Sequence, residues 1–150
     1  MSVSQSAYDQ VVRLLSRREH SAKELNRKLK LRGWDESAID SALSRLEKEG
    51  LLNHERFVEA YIRARRGVGY GPRRIALELE ERGVEENLIQ QALCQKITAE
   101  EWKKDLEQVW RKKFRARKPQ DVREYAQQAR FLSYRGFELE SIAHFLKKKE

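Results

Sequence analysis

Apolar residues recur along this chain at the three- and four-residue spacing of helices, and one stretch of that pattern occurs three times. Its fixed point is an Arg-Gly pair, found at Arg32-Gly33, Arg82-Gly83 and Arg135-Gly136. Four residues before each glycine stands a leucine: Leu29, Leu79 and Leu132. One residue after each stands an apolar side chain: Trp34, Val84 and Phe137. An isoleucine follows at the sixth position (Ile39, Ile89, Ile142) and a leucine at the tenth (Leu43, Leu93, Leu146). Self-similarity at an interval of roughly 50 residues is the mark of a tandem array of supersecondary units.

Three helices per unit follow from the periodicity. Ile39, Ala42, Leu43 and Leu46 make one apolar stripe, repeated as Ile89, Ala92 and Leu93 and as Ile142, Phe145 and Leu146. Before each Arg-Gly lies a helix carrying Leu25 and Leu29, Ile75 and Leu79, or Phe131 and Leu132. A first helix carries Tyr8, Val11, Val12 and Leu15; then Phe57, Ala60, Tyr61 and Ala64; then Leu106, Val109, Trp110 and Phe114. The expected helices span 6–17, 22–32 and 36–49; 54–66, 72–82 and 85–97; and 99–116, 121–135 and 138–148. The expected fold is all-α: three tandem three-helix, helix-turn-helix-like repeats at 1–52, 53–98 and 99–150, stacked into an elongated, curved array.

Punctuation supports these boundaries. Ser21-Ala-Lys-Glu24 and Thr98-Ala-Glu-Glu101 have capping-box form. Asp35 and Asn53 are expected N-caps, and Pro72 suits a first turn. Gly33, Gly50, Gly83 and Gly136 suit the left-handed position after a helix, so the Arg-Gly pairs read mainly as helix stops. Gly67-Val-Gly-Tyr-Gly71 reads as a turn between helices and Arg115-Ala-Arg-Lys-Pro119 as a basic loop.

Composition turns this scaffold towards binding. Hydrophobic residues make up 39% of the 150 and charged residues 37%, which leaves each unit only a thin core. The net charge is +8 and the isoelectric point about 9.7, which suits a polyanionic partner: nucleic acid or an acidic protein surface. The excess is uneven, at +2 for residues 1–50, +1 for 51–99 and +5 for 100–150. No apolar run nears the ~20 residues of a membrane span. Met1-Ser-Val-Ser-Gln5 lacks the basic start and apolar run of a signal peptide. A lone cysteine excludes an internal disulfide, and the expected location is the cytoplasm.

Candidate chemistry is sparse. His20, His54 and His144 are far apart in sequence, and Cys94 has no cysteine partner, so no metal site is expected. Cys94 reads as a packing residue. The glycine turn lacks the preceding strand of a dinucleotide fingerprint. No cofactor is expected, and no base, nucleophile or metal constellation marks an enzyme. What remains is two basic clusters. Arg63, Arg65, Arg66, Arg73 and Arg74 flank the glycine turn, with Tyr70 among them as a candidate stacking contact. Arg111, Lys112, Lys113, Arg115, Arg117 and Lys118 end the long first helix of the third unit; the alternative for this cluster is a solvated helix face. Reading of the DNA major groove by the third helices is a competing reading, but those helices start Asp35-Glu36, Glu85-Glu86 and Glu138-Leu-Glu140, which repel phosphate.

Ser21-Ala-Lys-Glu-Leu-Asn-Arg-Lys-Leu29, Asn53-His-Glu-Arg-Phe57, Arg66-Gly-Val-Gly-Tyr-Gly-Pro-Arg-Arg-Ile75 and Tyr134-Arg-Gly-Phe137 together resemble the RecX regulatory proteins of bacteria. The most specific stretch is Gly69-Tyr-Gly-Pro-Arg-Arg-Ile75 with Leu79 and Arg82-Gly83. The resemblance implies three tandem three-helix motifs. It also implies a non-catalytic partner of the RecA recombinase, binding RecA in the groove of its filament on DNA. Such a partner inhibits ATPase, strand exchange and co-protease activity, and so modulates recombination, DNA repair and the SOS response. The chain is then expected to act as a monomer, with any direct contact to single- or double-stranded DNA weak.

Overall fold

The computed structural model describes residues 6–147. The expectations for residues 1–5 and for the end of the last helix at 148 lie outside them. Nine helices form among the described residues, with no strand: α1 (Ala7–Leu15), α2 (Ala22–Leu31), α3 (Glu36–Lys48), α4 (His54–Val68), α5 (Pro72–Glu81), α6 (Glu86–Gln90), α7 (Ala99–Phe114), α8 (Val122–Tyr134) and α9 (Leu139–Leu146). They build three cores in chain order. One gathers around Val11, Leu25, Leu29, Ile39 and Leu46; one around Phe57, Ile75, Leu79 and Ile89; one around Leu106, Trp110, Leu132, Phe137 and Ile142. The accessible surface is 10467 Å², against about 8,000 Å² for a compact monomer of this mass. The excess fits an elongated array.

The Arg-Gly signature is one helix stop used three times. The amide of Trp34 donates to the Leu29 carbonyl, that of Val84 to Leu79 and that of Phe137 to Leu132, at 3.1, 3.1 and 3.2 Å. These bonds close a Schellman turn, with the glycine in the left-handed region between the bonded residues. The motif therefore explains both the leucine before each glycine and the apolar residue after it: they are the two ends of one hydrogen bond.

Caps elsewhere follow the sequence with one exception. Asp35 and Asn53 accept from the amides of Ala38 and Arg56, each at 2.8 Å. Thr98 and Glu101 form the full capping box. Ser21 caps α2, but Glu24 does not return the bond; its carboxylate goes instead to Arg18 and Lys28.

Three expectations need correcting. The helix before the glycine turn runs on through Gly67 and Val68, so the turn is only Gly69 to Gly71. The third helix of the second unit is α-helical only to Gln90 and continues as a π-helical turn, Gln91–Gln95. That turn takes up one extra residue. Leu46 lies thirteen positions after its glycine; the same count in the second unit reaches Lys96, which is exposed, and the wider turn brings in Ile97, which is buried. Cys94 falls on the outer face and is exposed, not packed, with Sγ 3.2 Å from Gln90 Oε1.

The second helices of the units meet end to end. At the joint of α8 and α5, the amide of Gly71 donates to the Arg135 carbonyl at 2.8 Å and that of Arg73 to the Gly136 carbonyl at 2.9 Å. Unsatisfied donors of one helix start thus meet unsatisfied acceptors of another helix end, and the dipoles align. Gly71 consequently needs no side-chain cap. The contact leaves no room for a Cβ: one added at Gly136 would lie 2.4 Å from Arg74 Cβ. At the other end of α5, Lys23 Nζ at the start of α2 donates to the Glu81 carbonyl at 2.8 Å.

Candidate binding surface

The five arginines around the glycine turn separate into three environments. Arg65 leaves the last turn of α4 and Arg74 the first turn of α5, and both reach Glu78. Arg65 grips it with two nitrogens at 2.8 and 2.9 Å, Arg74 adds a bond at 3.2 Å, and the Tyr61 hydroxyl donates at 2.7 Å. Burial works to push the Glu78 carboxyl up, but donors from Arg65, Tyr61 and Arg74 outweigh it and hold the group below the usual carboxylate range. The Tyr61 hydroxyl is pushed up to about 12, by burial, then by its hydrogen bond to Glu78 and by the Glu78 charge.

Tyr70 lies inside this knot. The Arg65 and Arg74 guanidinium groups stand 4.1 and 4.2 Å from its ring centre and Arg135 stands 5.2 Å away. Three cations share one ring, and only two of them, Arg65 and Arg74, share the Glu78 carboxylate, so positive charge is in excess. The Tyr70 ring is half-buried and occupied by these guanidinium groups.

Arg66 faces the other way. It pairs with Asp105 of α7 through contacts of 2.7 and 3.2 Å and lies 5.2 Å from the Trp102 ring, clamping the second unit to the third. Arg63 and Arg73 are exposed and enter no ion pair among the described residues.

The second cluster divides in a similar way. Arg111 pairs with Glu107 at 2.8 Å and Arg117 with Glu124 at 3.3 Å, both at the surface. Lys118 donates to the Phe145 carbonyl at 2.6 Å and lies 3.8 Å from the Phe145 ring. Lys113 stands 5.2 Å from the Phe131 ring. Lys112 and Arg115 point to solvent. Arg115 and Ala116 both take left-handed backbone, with φ of 52° and 61°, to turn the chain after α7. Buried Gln128 holds that turn: its Nε2 donates to the Arg117 carbonyl at 2.9 Å and its Oε1 accepts from Trp110 Nε1 at 2.8 Å.

Three partners were not singled out from sequence, Glu78, Asp105 and Gln128, and Arg135 was not read there as part of the site. Gln128 had a visible signal, since it stands eight residues before its glycine, where the other units have Leu25 and Ile75. Glu78 and Asp105 look like ordinary surface charges in the sequence, and Arg135 reads there only as part of a helix stop. Among the described residues no three His, Cys, Asp or Glu side chains come together as a metal site would require. No helix there is long and apolar enough to cross a membrane.

Fold and surface together define a tandem helical-repeat protein whose joint between second and third units is charged with fixed arginines. Comparison with known proteins narrows the class. Family models described as the first, second and third three-helix domains of RecX match residues 7–46, 53–93 and 101–146. The chain is 47% identical over 137 residues to a protein from Pseudomonas entomophila named regulatory protein RecX, covering 91% of this chain and 87% of the relative. It is 44% identical over 147 residues to the one from Ectopseudomonas mendocina, covering 98% and 94%. Among solved structures, a regulatory protein RecX superposes with a TM-score of 0.82 at 23% identity, covering 95% of this chain and 72% of that one. RecX from Lactobacillus salivarius gives 0.77 at 21%, covering 93% and 94%. The chain belongs to the RecX family.

Proposed function

We propose that the chain is a non-catalytic regulator that binds the RecA recombinase and its filament on DNA. There it inhibits ATP hydrolysis, strand exchange and co-protease activity, and so modulates recombination, DNA repair and the SOS response. The observation that carries this reading is family membership across all three units. The relatives' name, regulatory protein, agrees with a role that needs no catalytic residues. In this reading the units 1–52, 53–98 and 99–150 act as one monomeric body in the cytoplasm, without a cofactor, curved to follow neighbouring filament subunits.

Within that role the two basic clusters divide the work. Arg63 and Arg73 are exposed and make no ion-pair contact among the described residues, Arg63 acting on Glu59 only through its field, and they are the contacts open to RecA. Arg65, Arg66 and Arg74, with Tyr70, hold the surface in shape and add to its field. Lys112 and Arg115 are the outward charges of the second cluster and lie nearer the DNA, flanked by Arg111, Lys113, Arg117 and Lys118. Any direct DNA affinity is weak and steeply salt-dependent. Sequence reading by the third helices is disfavoured because Glu36, Glu85, Glu86 and Glu138 are exposed at or beside their starts.

Charge reversal at Arg63 and Arg73 tests the assignment. Reversal at Arg74 would set a second carboxylate against the half-buried Glu78, whereas Arg63 and Arg73 are exposed and bonded to no carboxylate, and Arg63 acts on Glu59 only through its field. The folded Arg63→Glu, Arg73→Glu variant is expected to need several-fold more protein to inhibit RecA; inhibition at the wild-type concentration would remove these contacts.

A further inference from the structure

The joint of α8 and α5 leaves a cleft of about 430 Å³ that the arginine knot does not fill. Arg73, Leu77 and Glu81 of α5 line one side, with the paired Arg74 and Glu78 beside them, and Ser133 and Tyr134 line the other. Leu77 is 63% exposed and Tyr134 76%, although the neighbouring Leu79 and Leu132 are fully buried. The Tyr134 hydroxyl makes no hydrogen bond among the described residues, and its ring lies 5.7 Å from the Arg74 guanidinium. Both walls are fixed, because the two backbone bonds between Gly71 and Arg135 and between Arg73 and Gly136 tie them together. An exposed tyrosine sharing a cleft with Arg73, which enters no ion pair among the described residues, is the composition of a binding hot spot, and preorganised walls reduce the entropy lost on docking.

The charges decide what fits. Of the lining charges Arg74 and Glu78 are already paired with each other, and Arg73, Leu77 and Glu81 follow at one-turn intervals along α5, so the cleft is cationic at its Arg73 end and acidic at its Glu81 end, and the group that meets Arg73 is acidic. A phosphate backbone fits poorly, since its charge repeats at every step and past Arg73 it would meet Leu77, which offers no donor, and Glu81, which repels it, whereas a single carboxylate at Arg73 avoids both. We infer that this cleft docks a protein segment carrying an apolar side chain next to a carboxylate. The apolar group rests between Leu77 and Tyr134 and the carboxylate meets Arg73. The inference rests on the proposed function, in that the segment belongs to the RecA filament, and it supplies the chemistry of the contact.

The test uses the full chain with Leu77→Ser and Tyr134→Ala combined, titrated against RecA filaments on single-stranded DNA and separately against the bare DNA. Both positions are exposed, so the variant's melting transition is expected to stay near that of the wild type. Filament affinity is expected to fall about tenfold or more, with most of the loss persisting at high salt because the lost contact is apolar. Affinity for bare DNA is expected to stay unchanged. Arg73→Glu alone is expected to weaken filament binding too, by a factor that shrinks as salt rises. A folded double variant with wild-type filament affinity overturns the cleft while leaving the proposed function standing. An equal loss on bare DNA overturns it in favour of a nucleic-acid surface. Failure of the wild-type chain to bind filaments removes the proposed function and this inference together.

Discussion

At the scale of single residues, Glu78 and His20 carry the sharpest consequences. Glu78 is the shared acceptor of Arg65, Arg74 and Tyr61, and its side chain is only 15% exposed. Its removal strands two guanidinium groups and a hydroxyl. Glu78→Ala is expected to cost about 1–3 kcal/mol in urea unfolding, whereas Glu107→Ala, which breaks the surface pair with Arg111, is expected to cost at most about 1 kcal/mol. Equal losses would mean that the knot contributes no more than a surface pair. His20 is buried, with Nδ1 3.0 Å from the Arg18 carbonyl and Nε2 3.1 Å from Lys28 Nζ. The geometry fits a neutral ring that donates from Nδ1 and accepts from the lysine. Burial lowers its pKa from the ordinary 6.5, and the Lys28 charge acts in the same direction. The unfolded chain therefore binds more protons as pH falls. The stability His20 contributes is present above 6.5 and drains away as pH falls from there towards the lowered value of the folded chain. Thermal midpoints measured across that interval are expected to fall for the wild type and to flatten for His20→Gln; parallel curves would contradict the assignment.

At the scale of elements, the helix stops and the joint between units are separable. Gly33 and Gly136 occupy the same place in the repeat and both have positive φ, 91° and 101°. A Cβ at Gly33 meets nothing within 4 Å, while one at Gly136 collides with Arg74. Gly33→Ala is expected to cost about 1–2 kcal/mol from backbone conformation alone. Gly136→Ala is expected to cost about 2–5 kcal/mol, since it also forces the joint apart. Denaturant titration of the two variants separates the effects, and similar losses would mean that the joint adds nothing. The same contrast shows what was legible beforehand. The helices and their Schellman stops follow from periodicity and local turn chemistry, which are properties of neighbours in sequence. The π-helical turn left only a faint trace, the shift of the buried residue from Lys96 to Ile97. The docking of Gly71 and Gly136 left none, because it depends on residues 65 positions apart. The basic clusters were visible as composition, but which arginines are already engaged was not: Glu78 and Asp105 select Arg65, Arg74 and Arg66, and leave Arg63 and Arg73 outward.

At the scale of the whole molecule, the three units are joined unequally. Backbone bonds, the Arg66–Asp105 pair and Trp102, which packs against the second core, weld the second unit to the third. The first is attached through side chains, chiefly Lys23 to the Glu81 carbonyl and Arg56 to Glu19 at 2.7 Å. The welded pair also holds most of the outward positive charge, so binding is expected to centre on it, with the first unit extending the contact along an elongated partner. The account as a whole stands on one measurement: the rate of DNA-dependent ATP hydrolysis by RecA as this protein is titrated in. A saturable fall in rate is predicted, reached at protein concentrations below or near that of RecA. A rate that stays constant across a wide excess of the protein would contradict the account.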